Sequence, residues 1–256
     1  MKRRAFLGMM AGAAVAAGTG GVFAFLRQEQ FGALPEGEDM RRILRSPHYA
    51  DGAFHNLIER PVLSDNSTFA GALLRSLVEE RPNPAPSAPV PSQKPDLLSR
   101  DRSENFVVWL GHSSFFLQLG GKRLLIDPVF SDHAAPVSFS TRAFAGSSPC
   151  TARDMPDIDA LLISHDHWDH LDYPTVTALK KRIGLVACGL GTGAHFRRWG
   201  FERERIREAD WGDDIDLNGV RIRFVTASHY SGRTLTQNKT LWTGFMLEAP
   251  DCRVFF

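Results

Sequence analysis

Leu161-Leu162-Ile163-Ser164-His165-Asp166-His167-Trp168-Asp169-His170-Leu171-Asp172 reads as a buried strand running into a loop dense in metal-ligand side chains. The stretch from Ile158 to Ser164 is nearly all apolar, the mark of a strand covered on both faces. In an extended segment, side chains at i and i+2 share a side, so His165 and His167 can converge on one ion. Where the chain then turns into a helix, Asp169 and His170 are redirected and can serve a second ion beside the first. Two imidazoles leave a tetrahedral zinc short of one protein ligand and one water. A third histidine is therefore expected at the end of a neighbouring strand, and His229 sits there, just past the Val220 to Ala227 run. Imidazole and carboxylate together suit Zn²⁺, with Mn²⁺ or Fe²⁺ behind it. Five ligand-type residues within positions 165–170 are too dense for histidines scattered at random in a polar loop.

Upstream, Phe106 to Leu110 and Ser114 to Leu119 are strand-like, and Gly120-Gly121 is a hairpin turn returning as Lys122 to Ile126 before Asp127-Pro128. Downstream, the spacing predicts a helix over Tyr173 to Ile183, a strand at Leu185 to Cys188 and a short helix over Gly193 to Trp199. Asn218-Gly219 turns Ile215 to Leu217 into Val220 to Ala227, where Val220, Ile222 and Phe224 alternate with Arg221 and Arg223. Thr240 to Glu248 and Arg253 to Phe256 complete the strands. Strands at regular spacing with a few helices between them predict a layered α/β domain.

Thirty Lys and Arg against 29 Asp and Glu leave no basic patch, so electrostatic capture of nucleic acid is not expected. Cys150, Cys188 and Cys252 show no CxxC spacing, which argues against a disulfide scaffold or thiolate site. Three parts are expected. Residues 1–30 pair a basic start (Arg3, Arg4) with an uncharged run from Ala5 to Leu26, resembling a twin-arginine export signal, with a membrane anchor as the alternative. Either places the body of the protein outside the cytoplasm, periplasmic or on the outer face of the inner membrane. Residues 31–95 form an N-terminal extension with a helix around Phe69 to Glu79 and six prolines from Pro82 to Pro95, a linker or surface wrap. Residues 96–256 form the main domain.

His165-x-His167-x-Asp169-His170 resembles the signature of the metallo-β-lactamase superfamily. Trp109-Leu110-Gly111-His112-Ser113-Ser114-Phe115, Leu125-Ile126-Asp127-Pro128 and His229-Tyr230-Ser231-Gly232-Arg233 resemble its branch that includes N-acyl-phosphatidylethanolamine-hydrolysing phospholipase D. The resemblance implies an αββα sandwich with metals at one edge of the sheets. It also implies His165, His167 and His229 as holders of the first metal, and Asp169 and His170 of the second. In the family a strand like Arg253 to Phe256 is followed by a Gly-Asp turn, whose Asp bridges both metals, and by a later His. The sequence stops at Phe256, so the sandwich is expected to be incomplete at the C-terminus and the second site to have two protein ligands. The implied activity is a zinc-dependent phosphodiesterase acting on a lipid or small phosphodiester, at a membrane surface where the substrate is a lipid. A lactonase-type hydrolase and a non-catalytic metal-binding envelope protein are the alternatives. Asp166 is the candidate proton acceptor, or else orients a ligand histidine. His112 either contacts substrate or is satisfied at the core edge. Tyr230 and Trp168 can line an apolar entrance, and Trp242 is expected in the core. His195 is read as surface or structural, and Arg233 as a phosphate contact or a solvated loop residue.

Overall fold

Gly120 (φ 53°) and Gly121 (φ 73°) close the hairpin on which the larger sheet is built. Both central positions of such a turn need the left-handed region, which glycine enters without strain. The computed structural model describes residues 21–59, 85–234 and 236–256, and between 60 and 84 only residues 68, 71, 74, 75, 78 and 79. In chain order the strands are β1 (Tyr49–Ala50), β2 (Ala53–Phe54), β3 (Phe106–Gly111), β4 (Ser114–Leu119), β5 (Lys122–Ile126), β6 (Ile158–Ile163), β7 (Ile183–Gly189), β8 (Ile206–Ala209), β9 (Asp214–Asp216), β10 (Arg221–Val225), β11 (Gly244–Glu248) and β12 (Arg253–Phe255). Residues 21–26 are helical, and the helices that follow are α1 (Gly37–Ile43), α2 (Tyr173–Leu179) and α3 (Gly193–Arg198), apart from the scattered helical residues of 71–78.

Strands β3 to β8 form one sheet in sequence order. The pairs β3–β4 and β4–β5 are antiparallel, and β5 through β8 are parallel. The second sheet is antiparallel, in the order β12-β11-β10-β9. Alternation along β6 places the core on both of its faces, as its apolar run predicts. Leu161 and Ile163 pack towards α2 and α3 with Val176, Leu179 and Phe196. Ala160 and Leu162 pack towards the second sheet with Val220, Ile222, Phe224 and Phe245. Each large apolar side chain buried this way stabilises the fold by about 1.5–3 kcal/mol. On β10, Arg221 and Arg223 face outward and pair with Glu248 and Asp214. The chain is thus an α/β sandwich, in which the described residues stack α2 and α3 on the six-stranded sheet and that sheet on the four-stranded one, with β1 and β2 forming a separate two-stranded ribbon.

Several boundaries differ from expectation. Helix α2 stops at Leu179 because Ile183 already opens β7, in register with Ile158. The strand expected from Thr240 begins only at Gly244. Residues 240–243 instead cross to the first sheet, where the Leu241 N–H donates to the Leu190 carbonyl (2.8 Å) and the Thr243 N–H to the Ser164 carbonyl (2.8 Å). Strand β8 was not anticipated, since Arg207 and Glu208 interrupt its apolar positions.

Either side of residue 95 the chain shares one body of packing. Ile43 and Phe54 are buried with Leu190, Trp211, Leu241 and Trp242, so Trp242 is a core residue. The described part of the proline-rich stretch, residues 85–95, lies along the surface, its Val90 N–H donating to the Ala145 carbonyl (2.7 Å). The helix expected over 69–79 falls largely outside the described residues, of which 71, 74, 75 and 78 are helical. Residues 1–20 of the expected export segment also lie outside them. Among the described residues no helix is long and apolar enough to cross a membrane.

Candidate metal centre

The parallel strands β5 and β6 deliver their C-terminal ends to one edge of the sheet, where α/β sheets carry their ligand sites. Asp127 follows β5 with a positive φ (43°) and is fully buried. Its carboxylate accepts hydrogen bonds from the Ser164 N–H (2.7 Å), the Ser164 hydroxyl (2.5 Å) and His170 Nδ1 (2.9 Å). Having given its hydrogen to Asp127, Ser164 Oγ accepts from His165 Nδ1 (2.9 Å). One carboxylate thereby fixes the tautomers of two histidines, leaving the lone pair of each Nε2 facing outward.

His165 Nε2 lies 2.9 Å from His167 Nδ1 and 3.0 Å from His229 Nε2, so the three predicted imidazoles do meet. Burial, reinforced by the neighbouring imidazoles of His170, His167 and His229, pulls His165 down to about 2. His167 and His229 are also lowered, chiefly by burial. All three are therefore neutral at neutral pH, the form that donates an electron pair to a metal. Donors held about 2.0–2.1 Å from a common cation lie roughly 3 Å apart, so this donor set fits one.

Asp169 and His170 lie beside this group, with the rings of His165 and His170 4.0 Å apart. Burial opposes ionisation of Asp169, but His170, a backbone hydrogen bond and His112 outweigh it and hold the carboxyl below its ordinary range. Burial likewise works against protonated His170, yet Asp127 and Asp169 raise it overall. His112 reaches this pair from the β3–β4 turn. The ring of Tyr230 stands 4.6 Å from that of His167, at the lip of an open cleft of about 530 Å³ over the histidines.

Asp166 does not face the imidazoles. Between two histidines that point one way, its carboxylate points the other, accepting from the Gly232 N–H (2.7 Å) and from His195 Nε2 (3.1 Å). Burial would raise it, but those bonds and the Arg233 charge hold it well below the usual carboxylate range. The expectation that Asp166 accepts a proton is thus corrected: it is the anchor of the loop carrying His229. His195 is buried and structural, its Nδ1 accepting from the Ala33 N–H (3.2 Å). Arg233 borders the cleft but is not a solvated loop residue. It is buried, donates to the carbonyls of Asp166 (3.0 Å), Leu171 (2.6 Å) and Gln30 (2.8 Å), and stacks 4.0 Å from the Trp168 ring centroid. Trp168 lines this cleft and is held between Arg233 and Phe31.

Asn56 was not anticipated. Its Oδ1 accepts from the His229 N–H (3.0 Å) and its Nδ2 donates to the His229 carbonyl (2.9 Å), so it holds that backbone as a neighbouring strand would. No signal in the sequence marks it.

Residues 122–256 match the beta-lactamase superfamily domain. The chain belongs to the metallo-β-lactamase superfamily. The superfamily match includes Asp127, the 164–170 loop and His229, whereas Asn56 and His112 lie before it. The chain is 36% identical over 216 residues to an uncharacterized protein of Mycobacterium tuberculosis, covering 83% of this chain and 57% of that one. It is 32% identical over 161 residues to N-acyl-phosphatidylethanolamine-hydrolyzing phospholipase D 1 of Caenorhabditis elegans, covering 59% of this chain and 45% of the relative. The chain thus spans only about half the length of these relatives. A solved metallo hydrolase of Ignicoccus hospitalis aligns with 19% identity and a TM-score of 0.45, over 58% of this chain and 57% of that one, a likeness too low to argue from.

Proposed function

We propose that the protein is a zinc-dependent hydrolase cleaving phosphodiesters that carry an apolar arm, of the N-acyl-phosphatidylethanolamine kind. The observation that carries this reading is the convergence of His165, His167 and His229 on one point at the floor of an open cleft. His165, His167 and His229 would hold the cation. A bound Zn²⁺ would lower the pKa of its water from 15.7 towards about 7, making a nucleophile available at neutral pH. The chain's own contribution is to keep the first-site imidazoles neutral by burial, to aim His165 and His170 through Ser164 and Asp127, and to seat the substrate beside them.

An apolar groove of about 390 Å³ adjoins His112 and Asp169, with Trp109, Val129, Ala134 and Phe144 among its walls. It supports a substrate with an apolar arm, and the name of the nematode relative supports the lipid class. The basic start and uncharged run of residues 1–30 support action outside the cytoplasm, near a membrane surface.

The test is an assay of the zinc-loaded protein against N-acyl-phosphatidylethanolamine, bis(p-nitrophenyl) phosphate and a simple lactone, with His165→Ala as control. Both phosphodiesters should be cleaved, and His165→Ala should lose that activity together with first-site zinc by elemental analysis. Turnover of the lactone alone would make the protein a lactonase, and zinc without turnover a metal-binding module. Unchanged zinc in the variant would refute the site.

A further inference from the structure

His112 occupies the left-handed region (φ 45°), a conformation that costs a residue with a Cβ energy and persists only where the surroundings enforce it. Three features enforce it. The register of the β3–β4 ladder shifts between Trp109 and Gly111. Gly111 (φ 107°) lies so near the Ser147 carbonyl that a Cβ there would meet it at 2.3 Å. Trp109 Nε1 donates to the His112 carbonyl (2.8 Å), closing the turn. The product is an imidazole aimed at the metal loop, with His112 Nε2 3.0 Å from Asp169 Oδ2.

His170 Nε2 lies 3.7 Å from the same oxygen, and the donor atoms of His112, Asp169 and His170 all fall within 4.8 Å of one another. His170 Nδ1 is already engaged by Asp127, so its Nε2 is the nitrogen free to bind. The two separations from Asp169 Oδ2, 3.0 and 3.7 Å, are those of donors placed about 2.0–2.2 Å from one cation of the zinc type.

We propose that His112 is a protein ligand, with Asp169 and His170, of a second divalent cation beside the one held by His165, His167 and His229. The role rests on the metal-hydrolase reading of the first group and adds a ligand from a different strand connection. It also gives the strained turn a role, that of aiming a ligand.

The test is calorimetric titration of the metal-free protein with Zn²⁺ alone, in the wild type, His112→Asn, His112→Gly and His165→Ala, with circular dichroism confirming each fold. Asparagine and glycine both tolerate the left-handed position, so neither change strains the turn. The wild type should bind two zinc ions. Both His112 variants should keep the first and bind the second at least about 100-fold more weakly, the upper end of what loss of a mere orienting partner costs. In the Co²⁺-loaded protein, the paramagnetically shifted imidazole signals should include His112 and fall by one in His112→Asn, a change that an orienting role would not produce. A second zinc bound equally well by either variant, an unchanged set of shifted signals, or a single zinc in the wild type would overturn the proposal. Zinc binding unaffected in His165→Ala would overturn the first-site reading instead.

Discussion

Asp127 Oδ2 lies 2.9 Å from His170 Nδ1 and 2.5 Å from Ser164 Oγ, which in turn accepts from His165 Nδ1 at 2.9 Å. A single buried carboxylate at the end of β5 thus orients one histidine in each of the two candidate groups. The two groups are coupled through it: whatever loosens Asp127 frees both rings at once.

Asp127→Asn should therefore weaken zinc binding at both groups by about 10–100-fold, the usual cost of removing a partner that orients a ligand histidine. It should also destabilise the metal-free fold by about 1–3 kcal/mol, because an amide cannot accept from every donor now on the carboxylate. Chelator-competition titration and urea unfolding read the two effects. Loss at one group only would disprove the coupling.

Acid should destabilise the metal-free protein. His165 is held at about 2 in the fold, against about 6.5 in the unfolded chain, so between those values the unfolded state binds the extra proton. Stability from this residue is then intact above about pH 6.5 and falls by about 1.4 kcal/mol per pH unit below it. His167 and His229 act in the same sense. His170 is raised and acts oppositely, stabilising below its unfolded value and losing that contribution as pH rises through its folded one. Urea midpoints between pH 7.5 and 5.5 should fall, and fall less steeply in His165→Gln. Equal slopes in the two proteins would refute the assignment.

The metal loop was legible because its information is local. Alternation in an extended segment puts His165 and His167 on one side, and the same rule places Asp166 on the other, where the structure has it bonded to Gly232 and His195. The glycine hairpin and the one-sided strand β10 were legible for the same reason. Contacts that span the chain leave no periodicity: Asn56 holds His229 across 173 positions, and Arg233 holds Gln30 across 203. Arg233 misled further because arginine is seldom buried. Three carbonyls and the Trp168 ring replace its water, and burial still brings it down to about 10.

Asn56 offers a test of that long-range dependence. Asn56→Ala removes two hydrogen bonds to the His229 backbone, each worth about 0.5–1.5 kcal/mol. The imidazole of His229 should then be less well placed, and first-site zinc affinity should fall about 10-fold while second-site affinity holds. Stepwise chelator competition measures this, and an equal drop at both sites would point to general loosening of the fold.

The apolar groove separates substrates by their arms. Phe144 lines it and is only half-buried, so its contact with an acyl chain should contribute less than the 1.5–3 kcal/mol of a fully buried side chain, or about 10-fold in kcat/KM. Phe144→Ser should lower kcat/KM by about that factor for a long-chain N-acyl-phosphatidylethanolamine, mostly through KM. Bis(p-nitrophenyl) phosphate, which has no such arm, should be cleaved as by the wild type, since Phe144 is absent from the candidate ligand groups. Equal losses on both substrates would mean that the groove shapes the metal centre instead of holding the substrate. A loss on neither would leave the acyl chain outside it.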